Sequence, residues 1–134
     1  MPGISPNLGD GYELLDGGWA AALAGGQNLT TQTVAAKAGA SATGATQINP
    51  NTAFCYISTV ASATDSIKLP AAKKGLIVMV LNCVASNAPN IYPFTTADKI
   101  GATATGSPYQ GLSGTKSAVF FCPADGFWGV VLTA

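Results

Sequence analysis

Cys55, Cys83 and Cys122, together with six carboxylates, are the groups best equipped for chemistry in this chain, because histidine is absent. Without an imidazole, neither a Ser-His-Asp nor a Cys-His arrangement can be assembled, and a nucleophilic hydroxyl or thiol loses its usual base. The cysteines fall in apolar, strand-like contexts without the electropositive surroundings that lower a thiol pKa. Zinc would need a fourth ligand and closer pairs. Two states stay open for them: three buried free thiols packing as small hydrophobes, or one disulfide and one free thiol.

The acids offer little more. Asp65, Asp98 and Asp125 stand singly beside turn residues, where a carboxylate that caps backbone amides is a simpler role than half of an acid/base pair. The Gly-Gly pairs at 17–18 and 25–26 precede no strand-helix phosphate motif with a lysine, so no nucleotide site is expected. Lys73-Lys74 reads as a solvated turn. No catalytic residue, metal ligand or cofactor is expected, and the chain does not read as an enzyme. Tyr92, Phe94, Tyr109, Phe127 and Trp128 could stack on sugars if several shared an open face. In strands such residues are usually core, and Tyr109, in a Gly/Ser-rich stretch, is the one expected to be accessible.

The elements that must position these residues are set by a lopsided composition. All six cations are lysine, they balance six acids, and only 9% of residues are charged, against about 25% in ordinary soluble proteins. So neutral a surface has little electrostatic means of staying apart from its neighbours, which favours assembly. The scattered lysines do not make a phosphate-binding patch, so nucleic acid is set aside. The longest apolar run, Leu76 to Leu81, is far too short to span a bilayer, and no membrane partner is expected. The opening MPGISPNLGD shows neither a basic nor an apolar leader region, so synthesis in a reducing cytoplasm is expected.

Large aliphatic and Phe side chains are unevenly spread, with 8 of Ile, Leu, Val and Phe in residues 1–52 and 22 in residues 53–134. The expected organisation is therefore an N-terminal arm and connector over 1–52 and a body over 53–134. Residues 1–17 carry Gly, Pro and three acids and read as an extended arm. A short helix over Trp19 to Ala24 would stop at Gly25-Gly26. From Gln27 to Asn51 the chain is Thr, Ala, Gly and Ser, an irregular connector or weak edge strands.

Beyond Phe54, short β-type runs alternate with turn residues. Strands are expected near 54–60, 66–69, 76–83, 91–94, 99–100, 117–122 and 127–132, with Pro123-Ala124-Asp125-Gly126 as a turn. This pattern predicts an all-β domain, a small antiparallel sandwich or jelly roll. Leu76 to Leu81 is apolar at every position, which suits a strand covered on both faces, by the core on one side and by a neighbouring subunit on the other. Leu76, Val78, Val80, Ile91, Phe120 and Trp128 are the residues expected in the body core or at the subunit interface. Pro93 places the Ile91 strand at a sheet edge.

The series Asp65-Ser66-Ile67-Lys68-Leu69-Pro70-Ala71, Gly75 with its apolar strand and Asn82, Ile91-Tyr92-Pro93, Asp98-Lys99-Ile100, Val119-Phe120-Phe121-Cys122 and Gly126-Phe127-Trp128 resembles small virion proteins of tailed bacteriophages. The similarity is to capsid decoration and head-fibre proteins and covers about residues 58 to 132. It implies a β-rich homotrimer on the outside of the phage head, bound to the major capsid protein and stabilising it. Tyr12, Leu14, Leu15 and Trp19 of the arm are then the expected capsid anchors, since buried aromatic and aliphatic side chains dominate interface energies. The alternative is a receptor- or glycan-binding module of a head or tail fibre, with a host-surface glycan as partner.

Overall fold

The computed structural model describes residues 29–39 and 41–133. Nine strands run through them: β1 (Thr31–Ala35), β2 (Thr46–Gln47), β3 (Phe54–Thr59), β4 (Ser66–Lys68), β5 (Ile77–Asn82), β6 (Asn90–Tyr92), β7 (Lys99–Ile100), β8 (Ser117–Ala124) and β9 (Phe127–Leu132). The described residues contain no helix, so the all-β expectation holds. The residues expected as capsid anchors, Tyr12, Leu14, Leu15 and Trp19, and the expected helix at 19–24, lie outside the described residues.

All seven expected strands form, but their pairing differs from the expected antiparallel sandwich. The chain alternates between a six-stranded sheet, order β1-β3-β5-β8-β9-β7, and a three-stranded sheet, order β2-β4-β6. Five of the seven strand pairs are parallel. Thr31 lies beside Phe54 and Phe54 beside Met79 in one sheet, while Thr46 lies beside Ile67 and Ile67 beside Ile91 in the other. The chain therefore winds through the two sheets in successive turns of about 21 to 25 residues. A parallel pair needs a long crossover, and here the opposite sheet supplies it where a helix commonly would. Among the strand pairs only β5-β8 and β8-β9 are antiparallel, with isolated antiparallel bridges at Lys37-Ser66 and Ile91-Tyr109. The β8-β9 turn uses Gly126 at φ +82, a backbone region that side chains with a Cβ resist.

The boundary expected at residue 52 is also corrected, because β1 and β2 pair with β3 and β4 and belong to the same two sheets. Few large apolar residues mark this first turn, and side-chain amides hold it instead. Gln32 donates from Nε2 to the Gln47 carbonyl at 3.2 Å, while its Oε1 accepts from the Asn49 amide at 2.8 Å and the Thr52 hydroxyl at 2.9 Å. Gln47 Nε2 in turn donates to the Leu69 carbonyl at 3.0 Å. Such bonds satisfy backbone groups that a thin apolar layer would leave short of partners.

Buried residues of both sheets form one cluster, with Ile57, Val78, Val80 and Phe120 from the larger sheet and Ile67 and Ile91 from the smaller. Tyr109 closes one side of it edge-on to Phe120, with ring centroids 5.8 Å apart at 87°. As Pro93 implies, β6 is the edge of its sheet.

Candidate assembly surface

Period-two alternation splits each long strand between core and exterior. On β5, Val78, Val80 and Asn82 are buried while Ile77, Met79 and Leu81 are exposed. On β3, Cys55 and Ile57 are buried while Phe54 and Tyr56 are exposed. Strand register then aligns the outward residues. Thr31, Phe54, Met79, Val119 and Val131 lie side by side across five strands. Thr33, Tyr56, Leu81 and Ser117 make the next row on one side, and Ile77, Phe121 and Gly129 make a row on the other.

The outer face of the six-stranded sheet is thus a continuous apolar field without a charged residue in those rows. Ile77 is 60% exposed, Val131 58%, Tyr56 47% and Met79 40%. A cleft of about 510 Å³ runs along the β1-β3-β5 side, between Thr31 and Thr33 at its margin and Phe54, Tyr56, Met79 and Leu81 on its floor and wall. On the β9 side, the Phe121 ring lies so close over Gly129 that a Cβ there would meet ring carbons at 2.4 to 2.9 Å. Single exposed apolar residues are ordinary, but a contiguous field on this scale marks an interaction surface.

The expected interface residues separate on this geometry. Val78, Val80, Ile91, Phe120 and Trp128 are all core, at most 1% exposed, and Leu76 is half-buried against it. The residues that alternate with them, Ile77, Met79 and Leu81 on β5 and Phe121 on β8, carry the free face. Sequence could not choose between the two sets on β5, because a run apolar at every position permits either phase. Phe54 and Tyr56 were equally ambiguous beside Cys55 and Ile57.

The groups with chemical potential are occupied structurally. Among the described residues the three cysteines are free. Burial pushes the Cys55 thiol up to about 12 and also raises Cys122, whose Sγ donates to the Ala124 carbonyl at 3.0 Å. Hydrogen bonding to the Cys83 sulfur, with that thiol's charge when ionised, raises the Tyr56 phenol. Asp65 Oδ2 accepts from the Ala61 and Ser62 amides at 2.8 and 3.1 Å, Asp125 Oδ1 from the Lys74 amide at 2.8 Å, and Asp98 Oδ2 from the Ala72 amide at 3.4 Å. These carboxylates hold turns, as their positions suggested. No group of three or more His, Cys, Asp or Glu among the described residues could hold a metal ion. Among the described residues there is no helix, and so none long and apolar enough to cross a membrane.

The aromatic expectations are partly reversed. Tyr109 is half-buried by its contact with Phe120, whereas Phe94 is 45% exposed. Lys68 Nζ lies 5.7 Å from the Phe94 ring centroid, and a shallow cleft beside them is rimmed by Thr43, Thr95 and Thr96. No protein-family model, no curated protein and no solved structure matches the chain.

Proposed function

We propose that this chain is a structural virion protein that decorates the outer surface of a tailed-phage capsid as a homotrimer and bridges major capsid protein subunits. The observation that carries this reading is the apolar outer face that β1, β3, β5, β8 and β9 share, which suits a protein that works by being held against others. The mechanism is clamping. A protein bound across two neighbours in the shell, and not to the separated subunits, raises the free energy needed to part them.

Attachment falls to the N-terminal segment. Tyr12, Leu14, Leu15 and Trp19 would each contribute roughly 1.5 to 3 kcal/mol if fully buried. Ordering costs about 1 to 2 kcal/mol per residue, so fixing the whole segment would consume all of that gain, and only the residues close to each anchor become ordered on binding. Three such weak attachments on one trimer reinforce one another, because the second and third bind at high effective concentration. Densitometry of purified virions tests the role: abundance comparable to the major capsid protein is expected, and a trace band would refute decoration.

A second reading, a glycan-binding module of a head or tail fibre, has one observation in its favour. The open Phe94 ring with a threonine rim offers a stacking face beside hydroxyl donors. Copy number separates the two, since a fibre is present in few copies.

A further inference from the structure

The outer face of the three-stranded sheet carries a cleft built by two loops. On β4, Ile67 enters the core and Lys68 alternates outward, beside Tyr92 of β6. One wall is the chain that follows β1. It is pinned to β4, where Lys37 and Ser66 exchange backbone hydrogen bonds at 2.8 Å and Ser66 Oγ donates to the Gly39 carbonyl at 2.9 Å, and it brings Thr43 to the rim. The other wall is Phe94, Thr95 and Thr96. Gly106 backs this wall so closely that a Cβ there would lie 2.9 Å from the Thr96 carbonyl oxygen. The cleft has a volume of about 160 Å³, the liquid volume of about five waters. That is room for one six-membered sugar ring and not for an oligosaccharide lying flat.

The groups around it suit a particular kind of ring. Exposed Phe94 offers a flat apolar face to the C–H side of a pyranose, and the exposed threonines offer hydroxyls. Lys68 Nζ stands 5.7 Å from the centre of the Phe94 ring, so one sugar can touch both. Among the described residues this ammonium faces the aromatic ring and is not paired with a carboxylate, since Asp65, Asp98 and Asp125 hold turn amides. An ammonium has three donors and no acceptor, and its strongest partner is an anion. A neutral sugar would leave that partner missing. The two sheets share one core, so their outer faces point to opposite sides. Contacts made by the apolar face of the larger sheet therefore leave the cleft open.

We propose that this cleft binds one carboxylate-bearing pyranose, a uronic acid unit. Its C–H face lies on Phe94, its carboxylate accepts from Lys68 Nζ, and its hydroxyls meet the threonine rim. This assignment rests on the glycan-binding reading and adds the charge that the sugar must carry.

The full-length chain is titrated with methyl β-glucuronide and followed by the amide signals of Thr43, Lys68, Thr95 and Thr96. These should move with millimolar affinity, as is ordinary for a single ring. Methyl β-glucoside, the same ring without the charge, should bind about tenfold or more weaker, which is about 1.4 kcal/mol. Sodium acetate, the charge without the ring, should bind at least as poorly. This comparison of three ligands on the wild-type protein needs no variant to fold. Lys68→Met, which keeps the aliphatic stem, should bring the glucuronide down to the affinity of the glucoside, and Phe94→Ala should weaken both. Equal affinity for the two glycosides, or unchanged binding by Lys68→Met, would overturn the acidic preference and leave the glycan reading standing. Acetate bound as tightly as the glucuronide would overturn the sugar assignment in favour of a bare anion contact. Shifts confined to other residues would overturn the site alone, and the absence of any shift with either glycoside would sink the glycan reading as well.

Discussion

Cys55 and Tyr56 are neighbours in sequence with opposite fates, and the difference is one of phase on a strand. The Cys55 side chain enters the core, where burial raises its thiol from an ordinary 9.0 to about 12. Between those values the folded chain keeps a proton that the unfolded chain has lost. Stability therefore falls as pH rises, since the folded state binds the extra proton. The contribution is fully present below about pH 9 and disappears progressively toward about pH 12. Urea midpoints of Cys55→Ala should accordingly decline less steeply than those of the wild type over this alkaline range. Parallel declines would show that the thiol is not responsible.

Strand existence was legible in the chain and strand direction was not. The β-branched and aromatic runs between Phe54 and Leu132 mark seven strands, and the turn residues between them mark their ends. Alternation along one strand, however, carries no information about the direction of its neighbour. Parallel winding became visible only when Phe54 was seen beside Met79 and Ile67 beside Ile91. β1 and β2 are the weak edge strands that the composition of 27–51 allowed, and Gln32 and Gln47 amides secure them alongside the buried Val34 and Ile48.

A polar residue also secures the end of β5. Asn82 is fully buried, donates from Nδ2 to the Asn87 carbonyl at 2.7 Å and the Leu112 carbonyl at 3.1 Å, and accepts from the Val84 amide at 3.0 Å. Asn82→Ala should cost about 1 to 3 kcal/mol in chemical denaturation, because it leaves buried backbone groups unpaired. Asn82→Asp should cost more, as it sets a carboxylate against two carbonyl oxygens. Equal stability of Asn82→Asp and wild type would show that these bonds do not hold the strand end.

At the scale of the whole molecule, the winding places one face of the larger sheet in the core and leaves the other without cover among the described residues. Assembly and attachment can then be separated experimentally. Every described strand begins at or after Thr31, so deletion of residues 1–20 should leave a folded oligomer. The proposed anchors Tyr12, Leu14, Leu15 and Trp19 would be gone, and sedimentation with capsids should fall to background. Undiminished co-sedimentation would remove the capsid-binding role from the arm and assign it to the body.

The sequence by itself determined that this is an all-β chain with few charges, no histidine and alternating short apolar runs, because those properties depend only on which residues are present and how they are spaced. Which of two equally apolar sets on β5 faces the core was decided by tertiary structure. Only the packing of a second sheet against one side breaks that tie, and it leaves Ile77, Met79 and Leu81 facing outward.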